Sequence, residues 1–192
     1  MENKKYLIAS IFVACIIFSG AISYSFGAGS QSDPIFNEGV TFDGYVTIKH
    51  YDASEGIWTT LMNNVHNVFT EDGKNYTRVQ IGEGGDTKGA TYIALTNETY
   101  VPAEAHDEAD WAAVELSVGN LSRAACTFAN GTTKGEWNCT YTFVANETVP
   151  GVHAVASLTN STGGDLVAET NFTAVTLEAA DQIQCTWNYS VS

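Results

Sequence analysis

The sequence predicts a mainly β protein: a two-layer β-sandwich, of jelly-roll or immunoglobulin-like topology, preceded by one N-terminal apolar helix. Three observations predict it. Residues 6–26 are one uninterrupted apolar run. Beyond residue 40 the chain breaks into eight or more short segments rich in Val, Ile, Thr and aromatic residues. Clusters of Gly, Asn, Asp and Ser separate these segments every 8 to 15 residues, as in sandwiches built from short strands.

The first run reads YLIASIFVACIIFSGAISYSF, follows Lys4 and Lys5, and contains no acidic or basic side chain. At ~1.5 Å per residue such a helix reaches ~31 Å, the thickness of a hydrocarbon core. The next Lys or Arg is Lys49. The positive-inside asymmetry therefore keeps the two lysines in the cytoplasm and sends the rest of the chain out. Residues 1–27 are either a secretory signal peptide or a retained transmembrane anchor. Ser25-Phe26-Gly27 before Ala28 and Gly27-Ala28-Gly29 before Ser30 are the candidate cleavage sites, and neither is a clean Ala-x-Ala. A pilin-type leader is the third reading, although Lys5 is followed by Tyr6 rather than Gly or Ala.

Residues 28–39, AGSQSDPIFNEG, read as a linker, and residues 40–192 as one extracellular β-sandwich domain. Val40, Phe42 and the β-branched and aromatic run 45–51 begin the first hairpin; 52–56 is its turn and 57–61 its second strand. Residues 63–82 hold the one helix expected outside the leader. Thr70 can cap it, Glu71 and Asp72 load its first turn with negative charge, and Tyr76, Val79 and Gln80 follow at near-helical spacing. A strand at 91–96, an exposed acidic loop at 101–110 and an imperfect alternation over 111–118 come next. Residues 123–129 and 136–145 form the clearest hairpin, with Cys126 opposite Cys139 and Phe128 opposite Trp137. The last strands are 152–158, 166–174 and 182–191. In the final one Ile183, Cys185, Trp187 and Tyr189 share a face, with Thr186, Asn188 and Ser190 on the other.

Lys and Arg number 8 against 22 Asp and Glu, a net charge of −14. That balance argues against nucleic acid as a partner, since a phosphate backbone demands a basic patch. Nine Asn-x-Ser/Thr triplets begin at Asn75, Asn97, Asn120, Asn130, Asn138, Asn146, Asn160, Asn171 and Asn188. One triplet means little, but nine on the exported side predict a glycoprotein. Asn138, Asn171 and Asn188 lie in or beside expected strands and are usable only on outward faces.

Cys15 belongs to the apolar run, which leaves Cys126, Cys139 and Cys185 in an oxidising exterior. Cys126–Cys139 follows from the hairpin register, and Cys139–Cys185 is the alternative if those strands are neighbours. The odd thiol is buried or joins another subunit. No Cys-x-x-Cys spacing suits zinc. Glu104, Asp107, Glu108 and Asp110 crowd one loop with hard oxygen ligands, yet they lack EF-hand spacing and read as a solvated acidic loop. His50, His66, His106 and His153 are scattered over different elements, and there is no Gly-x-Ser-x-Gly elbow or phosphate loop. No catalytic residue, metal or cofactor is expected, and the chain reads as a non-enzyme. Trp58 and Trp111 are candidates for stacking on sugars, whereas Trp137 and Trp187 sit on apolar strand faces and read as core.

His66-Asn67-Val68-Phe69-Thr70 followed by Gly73-Lys74-Asn75-Tyr76, then Tyr92 to Asn97, Leu121-Ser122-Arg123-Ala124, and Asp181-Gln182-Ile183 with Thr186-Trp187, resemble a β-sandwich family. It is seen in tail and virion-surface proteins of phages and archaeal viruses, and in archaeal exported surface proteins. The likeness covers about residues 60–191, and its motifs are structural. It implies a structural role at a cell surface, and the chain reads as coat material, a homo-oligomer or filament; the alternative, from another class, is a module that binds surface polysaccharide or another cell's coat. The apolar leader and dense sequons depart from the phage members and suit an archaeal cell-surface protein. For assembly, residues 28–51 could complete a neighbour's sheet with Ile35, Phe36, Val40 and Phe42 as plugs, or pair within their own chain.

Overall fold

The computed structural model describes residues 42–82, 89–131 and 136–191. The expected apolar helix, its cleavage sites, the linker and the plugs Ile35, Phe36 and Val40 lie outside these residues. Among the described residues no helix is long and apolar enough to cross a membrane.

The strands are β1 (Phe42–Asp52), β2 (Ile57–His66), β3 (Val68–Phe69), β4 (Tyr92–Thr96), β5 (Ala124–Ala125), β6 (Thr127–Asn130), β7 (Glu136–Val144), β8 (Val149–Leu158), β9 (Leu166–Leu177) and β10 (Gln182–Val191). Two helices accompany them, α1 (Glu71–Gly82) and α2 (Glu108–Ala112). The strands make two five-stranded antiparallel sheets, ordered β2-β1-β10-β7-β6 and β3-β9-β8-β4-β5. A mainly β, two-sheet architecture is therefore what the short strands build. The chain passes between the sheets at Asn67, at Cys126, over 145–148 and over 178–181.

Alternation explains the first sheet. Val46 and Ile48 of β1, Cys139 and Phe143 of β7, and Ile183, Cys185, Trp187 and Tyr189 of β10 are buried against the second sheet. Burying one such side chain stabilises by about 1.5–3 kcal/mol. The second sheet is buried on both faces, which is why β8 reads as a nearly continuous apolar run. Its inner face contributes Ile93, Leu95 and Val155, and its outer face packs Ala94, Ala154 and Ala156 beneath Tyr100 and Trp111.

Several expectations are corrected. The helix begins only at Glu71; Asn63–Asn64 and the residues up to His66 finish β2, and β3 intervenes. Thr70 closes the first turn, accepting the Gly73 N–H at 2.9 Å while its own hydroxyl donates to the Leu166 carbonyl. Gly73 is obligatory in this packing, because a Cβ there would lie 2.1 Å from the Val167 carbonyl oxygen. Residues 111–118 are not a strand, and the acidic loop ends in α2. Asp107 caps that helix by accepting the Ala109 and Asp110 N–H groups, and Asp110 accepts the Asp107 N–H in return.

The β6–β7 hairpin forms two residues out of the expected register. Phe128 faces Cys139, and Asn130 faces Trp137. Cys126 stands just outside the ladder, where the chain crosses between sheets, and reaches Cys139 diagonally with a Cα–Cα distance of 5.4 Å in a disulfide. Cys139 and Cys185 are not bonded, since Cys139 lies opposite Trp187; Cys185 is the buried free thiol. Residues 42–51, the C-terminal part of the proposed donor segment, pair inside their own chain with β10 on one side and β2 on the other.

Candidate functional site

The register of the first sheet sorts its outward side chains into rows. Thr47, Thr186, Thr140 and Thr127 form one row across four strands, and the Thr140 hydroxyl donates to Thr186 Oγ1 at 3.0 Å. Tyr45, Asn188 and Asn138 lie to one side of it; Lys49, Gln184 and Thr142 lie to the other, with Gln184 Nε2 donating to Thr142 Oγ1 at 3.2 Å. The charged side chains at outward positions on these strands are Asp43, Lys49 and Glu136, so in a strongly acidic chain this face is close to neutral. Two aromatic pairs flank it toward β2: Tyr45 with His66 at 5.3 Å and Tyr51 with Trp58 at 5.2 Å.

At the β2–β3 end of this face, a groove of about 380 Å³ is lined by Tyr45, Asn64, Asn130, Glu136, Asn138 and Asn188 among others. Its amides, hydroxyl and aromatic ring suit a neutral polyhydroxylated ligand, because ring faces stack on sugar C–H groups while amides match hydroxyls. Three of the nine sequon asparagines, Asn130, Asn138 and Asn188, line the same groove, and Asn138 and Asn188 are direct cross-strand neighbours on the outward face.

The remaining sequons are spread over the surface. Asn75, Asn120 and Asn146 are exposed, while Asn97, Asn160 and Asn171 are half-buried. Asn120 and Asn146 sit together at the end of the sandwich remote from the groove, where the Asn146 N–H donates to the Gly119 carbonyl at 3.1 Å. Asn97 and Asn120 donate Nδ2 to the carbonyls of Pro150 and Val144, each at 3.1 Å, and Asn171 is held in the same way. Its Nδ2 donates to the Tyr100 carbonyl at 3.0 Å and its Oδ1 is buried, which occupies the atom that a glycan would need.

The acidic loop turns its carboxylates to structural use. Glu104 accepts from Lys74 at 2.6 Å, which holds the ammonium above its ordinary pKa, and Asp107 and Asp110 form the α2 cap. Glu108 pairs with Arg123 at 2.9 Å, and Glu115 takes the same guanidinium on both oxygens. Burial opposes the charge on Arg123, but bonds to Glu115 and Glu108 outweigh it and raise its pKa. Arg123 Nη1 also donates to the Asn160 carbonyl at 3.1 Å. Among the described residues no group of His, Cys, Asp or Glu is disposed to hold a metal ion.

Under the same loop lies Glu169, a carboxylate with no exposed surface on the outer face of the second sheet. It accepts from Tyr100 Oη at 2.5 Å and from the Ala103 N–H at 2.7 Å, and it meets His106 Nδ1 at 2.8 Å. Burial and the neighbouring carboxylate push the Tyr100 phenol well above its usual pKa. These groups fasten the loop 99–113 to β9. Sequence reasoning missed Glu169 and gave Arg123 and Asp181 no role beyond the motifs that contain them; for Glu169 the available signal was a single acid inside the apolar run of β9, since a buried carboxyl demands partners. Trp111, expected as a stacking platform, is fully buried against Tyr100 at 5.0 Å and cannot touch a ligand. Trp58 remains 45% exposed.

No family model matches this chain, and no curated protein or solved structure matches it either.

Proposed function

We infer that this chain is a non-enzymatic, exported surface glycoprotein serving as coat or filament material, in keeping with its resemblance to archaeal surface and virion-surface sandwiches. The observation that carries this reading is where the sequons fall. None of the nine acceptor asparagines is buried, whereas Asn67, which is outside any sequon, is 4% exposed. The Cys126–Cys139 disulfide supports an oxidising compartment. Residues 1–27 deliver or anchor the domain, and the part of the 28–51 segment that precedes β1 serves as the donor strand of another copy.

Intact-mass and glycopeptide analysis of protein from its native host tests the reading, since it reports leader cleavage, glycan load and disulfide together. An unglycosylated, intracellular product overturns it. For the filament, electron microscopy of the protein with and without residues 28–41 decides the assembly route, and filaments that persist after the deletion rule out strand donation.

A second reading, a module that binds neutral surface polysaccharide, is favoured by the near-neutral outward face of the first sheet with Tyr51 and Trp58 at its margin. A glycan array run with the native protein and Trp58→Ala separates the two. Binding lost in the variant supports the module, and no binding by native protein removes it.

A further inference from the structure

We propose that β2 is a self-association surface, on which a second copy of this chain adds its own β2 antiparallel and extends the five-stranded sheet across a twofold axis. β2 has β1 on one side, and among the described residues no strand on the other. An exposed strand edge offers unpaired N–H and C=O groups to any chain that can align with them, so proteins blunt such edges by shortness, charge, proline or cover. The edges of the second sheet are blunted in this way. β3 and β5 are two residues each, and α1 packs its first turn onto β9 beside β3. β6, the other edge of the first sheet, has four residues.

β2 has ten residues, IWTTLMNNVH, with no proline and no Asp, Glu, Lys or Arg. In a chain of net charge −14, homotypic contacts through acidic parts of the surface set acid against acid; this strand carries no acid to repel its copy. Three of the seven large apolar side chains exposed on the described surface are on this strand: Ile57, Trp58 and Val65 at 55%, 45% and 43%. The strand does carry irregularities, which can twist an edge out of reach. They lie beyond Thr60, between the pairs Lys49–Thr60, Ile48–Met62 and Val46–Val65, and leave Ile57 to Thr60 regular.

Pairing across a twofold must keep each sheet face continuous, so inward residues meet inward residues. With Thr59 on the axis, Thr59 meets Thr59, Trp58 meets Thr60, and Ile57 meets Leu61, whose side chain packs toward the core as Met62 does. The contact is isologous and closes after two copies, so it stands whether or not the chain also builds filaments. It requires only the folded domain, not the glycoprotein reading.

The test uses the full chain purified in detergent. Sedimentation should show a reversible dimer, and Thr59→Lys, which sets two ammonium groups on the axis, should weaken it by about 10-fold or more. Because Thr59 is exposed, its melting temperature should match that of the native protein. Paired Cα atoms across such a ladder are ~4.5–5.5 Å apart, within the span of a disulfide. Thr59→Cys should therefore form a covalent dimer under mild oxidation, while Thr127→Cys on β6 should not. A native protein that stays monomeric at high concentration, a dimer untouched by Thr59→Lys, or cross-linking that favours Thr127→Cys overturns the proposal.

Discussion

His106 Nδ1 lies 2.8 Å from Glu169 Oε1, and the carboxylate it meets has no exposed surface at all. A carboxyl group buried there needs donors, and Tyr100 Oη and the Ala103 N–H supply them. Glu169→Ala should destabilise the fold by about 3 kcal/mol, since it strands those donors beneath the loop. Hydrogen exchange should show the loss concentrated in residues 99–113, with β1 and β10 little changed. Uniform loss across both sheets would mean the carboxylate supports the whole core and not this loop.

Asp181 joins two turns at one end of the sandwich. It accepts the Ala53 N–H at 2.8 Å and the Glu178 N–H at 2.9 Å, with His50 Nε2 at 3.3 Å. Burial alone would raise its pKa, but the two backbone donors and His50 outweigh it and hold the carboxyl below its ordinary value. A depressed folded value means the stabilisation is fully present above the unfolded pKa of about 3.9 and disappears as pH falls through the folded one. Asp181→Asn should be less stable than native protein at pH 7, and the two unfolding free energies should converge below about pH 4. Parallel curves across the acid range would refute the assignment.

Among the sequons, Asn171 should stay unmodified. Its Nδ2 is held by the Tyr100 carbonyl, and attachment of a sugar would pull the 99–113 loop from β9. Exposed Asn75 and Asn146 carry no such constraint, and Asn120, whose Nδ2 donates to the Val144 carbonyl at 3.1 Å, is itself exposed. Glycopeptide mapping that finds Asn171 occupied in folded protein would show that this loop closes differently in the cell.

Cys185 should resist alkylation until the protein unfolds, because complete burial pushes its thiol pKa far up and suppresses the thiolate. Replacing both Cys126 and Cys139 by Ala should lower stability by about 2–3 kcal/mol, in line with the short loop they close. The readouts are maleimide labelling against denaturant and the shift in unfolding midpoint. Fast labelling of Cys185 in native conditions would contradict its place in the core.

Sequence patterns of local origin proved readable. The alternation of β10 predicted which of its side chains face inward, and Thr70 with Glu71 and Asp72 marked the start of α1. Features made by distant partners were not readable. Glu169 and Ala103 are 66 residues apart, and no period in either segment links them. The β6–β7 register slipped for a related reason: Cys126 belongs to a crossing between sheets, which pairing rules for a hairpin do not contain. Trp111 looked free because the segment covering the second sheet reads as a polar loop, although Trp111 and Tyr100 together fill the space above Ala94, Ala154 and Ala156.

β1 begins at Phe42 and runs between two partners, matched with β10 from Phe42↔Val191 to Tyr51↔Gln182 and with β2 along its other side. Tension arriving through residue 41 along the axis of β1 therefore loads both ladders in shear. Along that axis the strand cannot be peeled away one pair at a time.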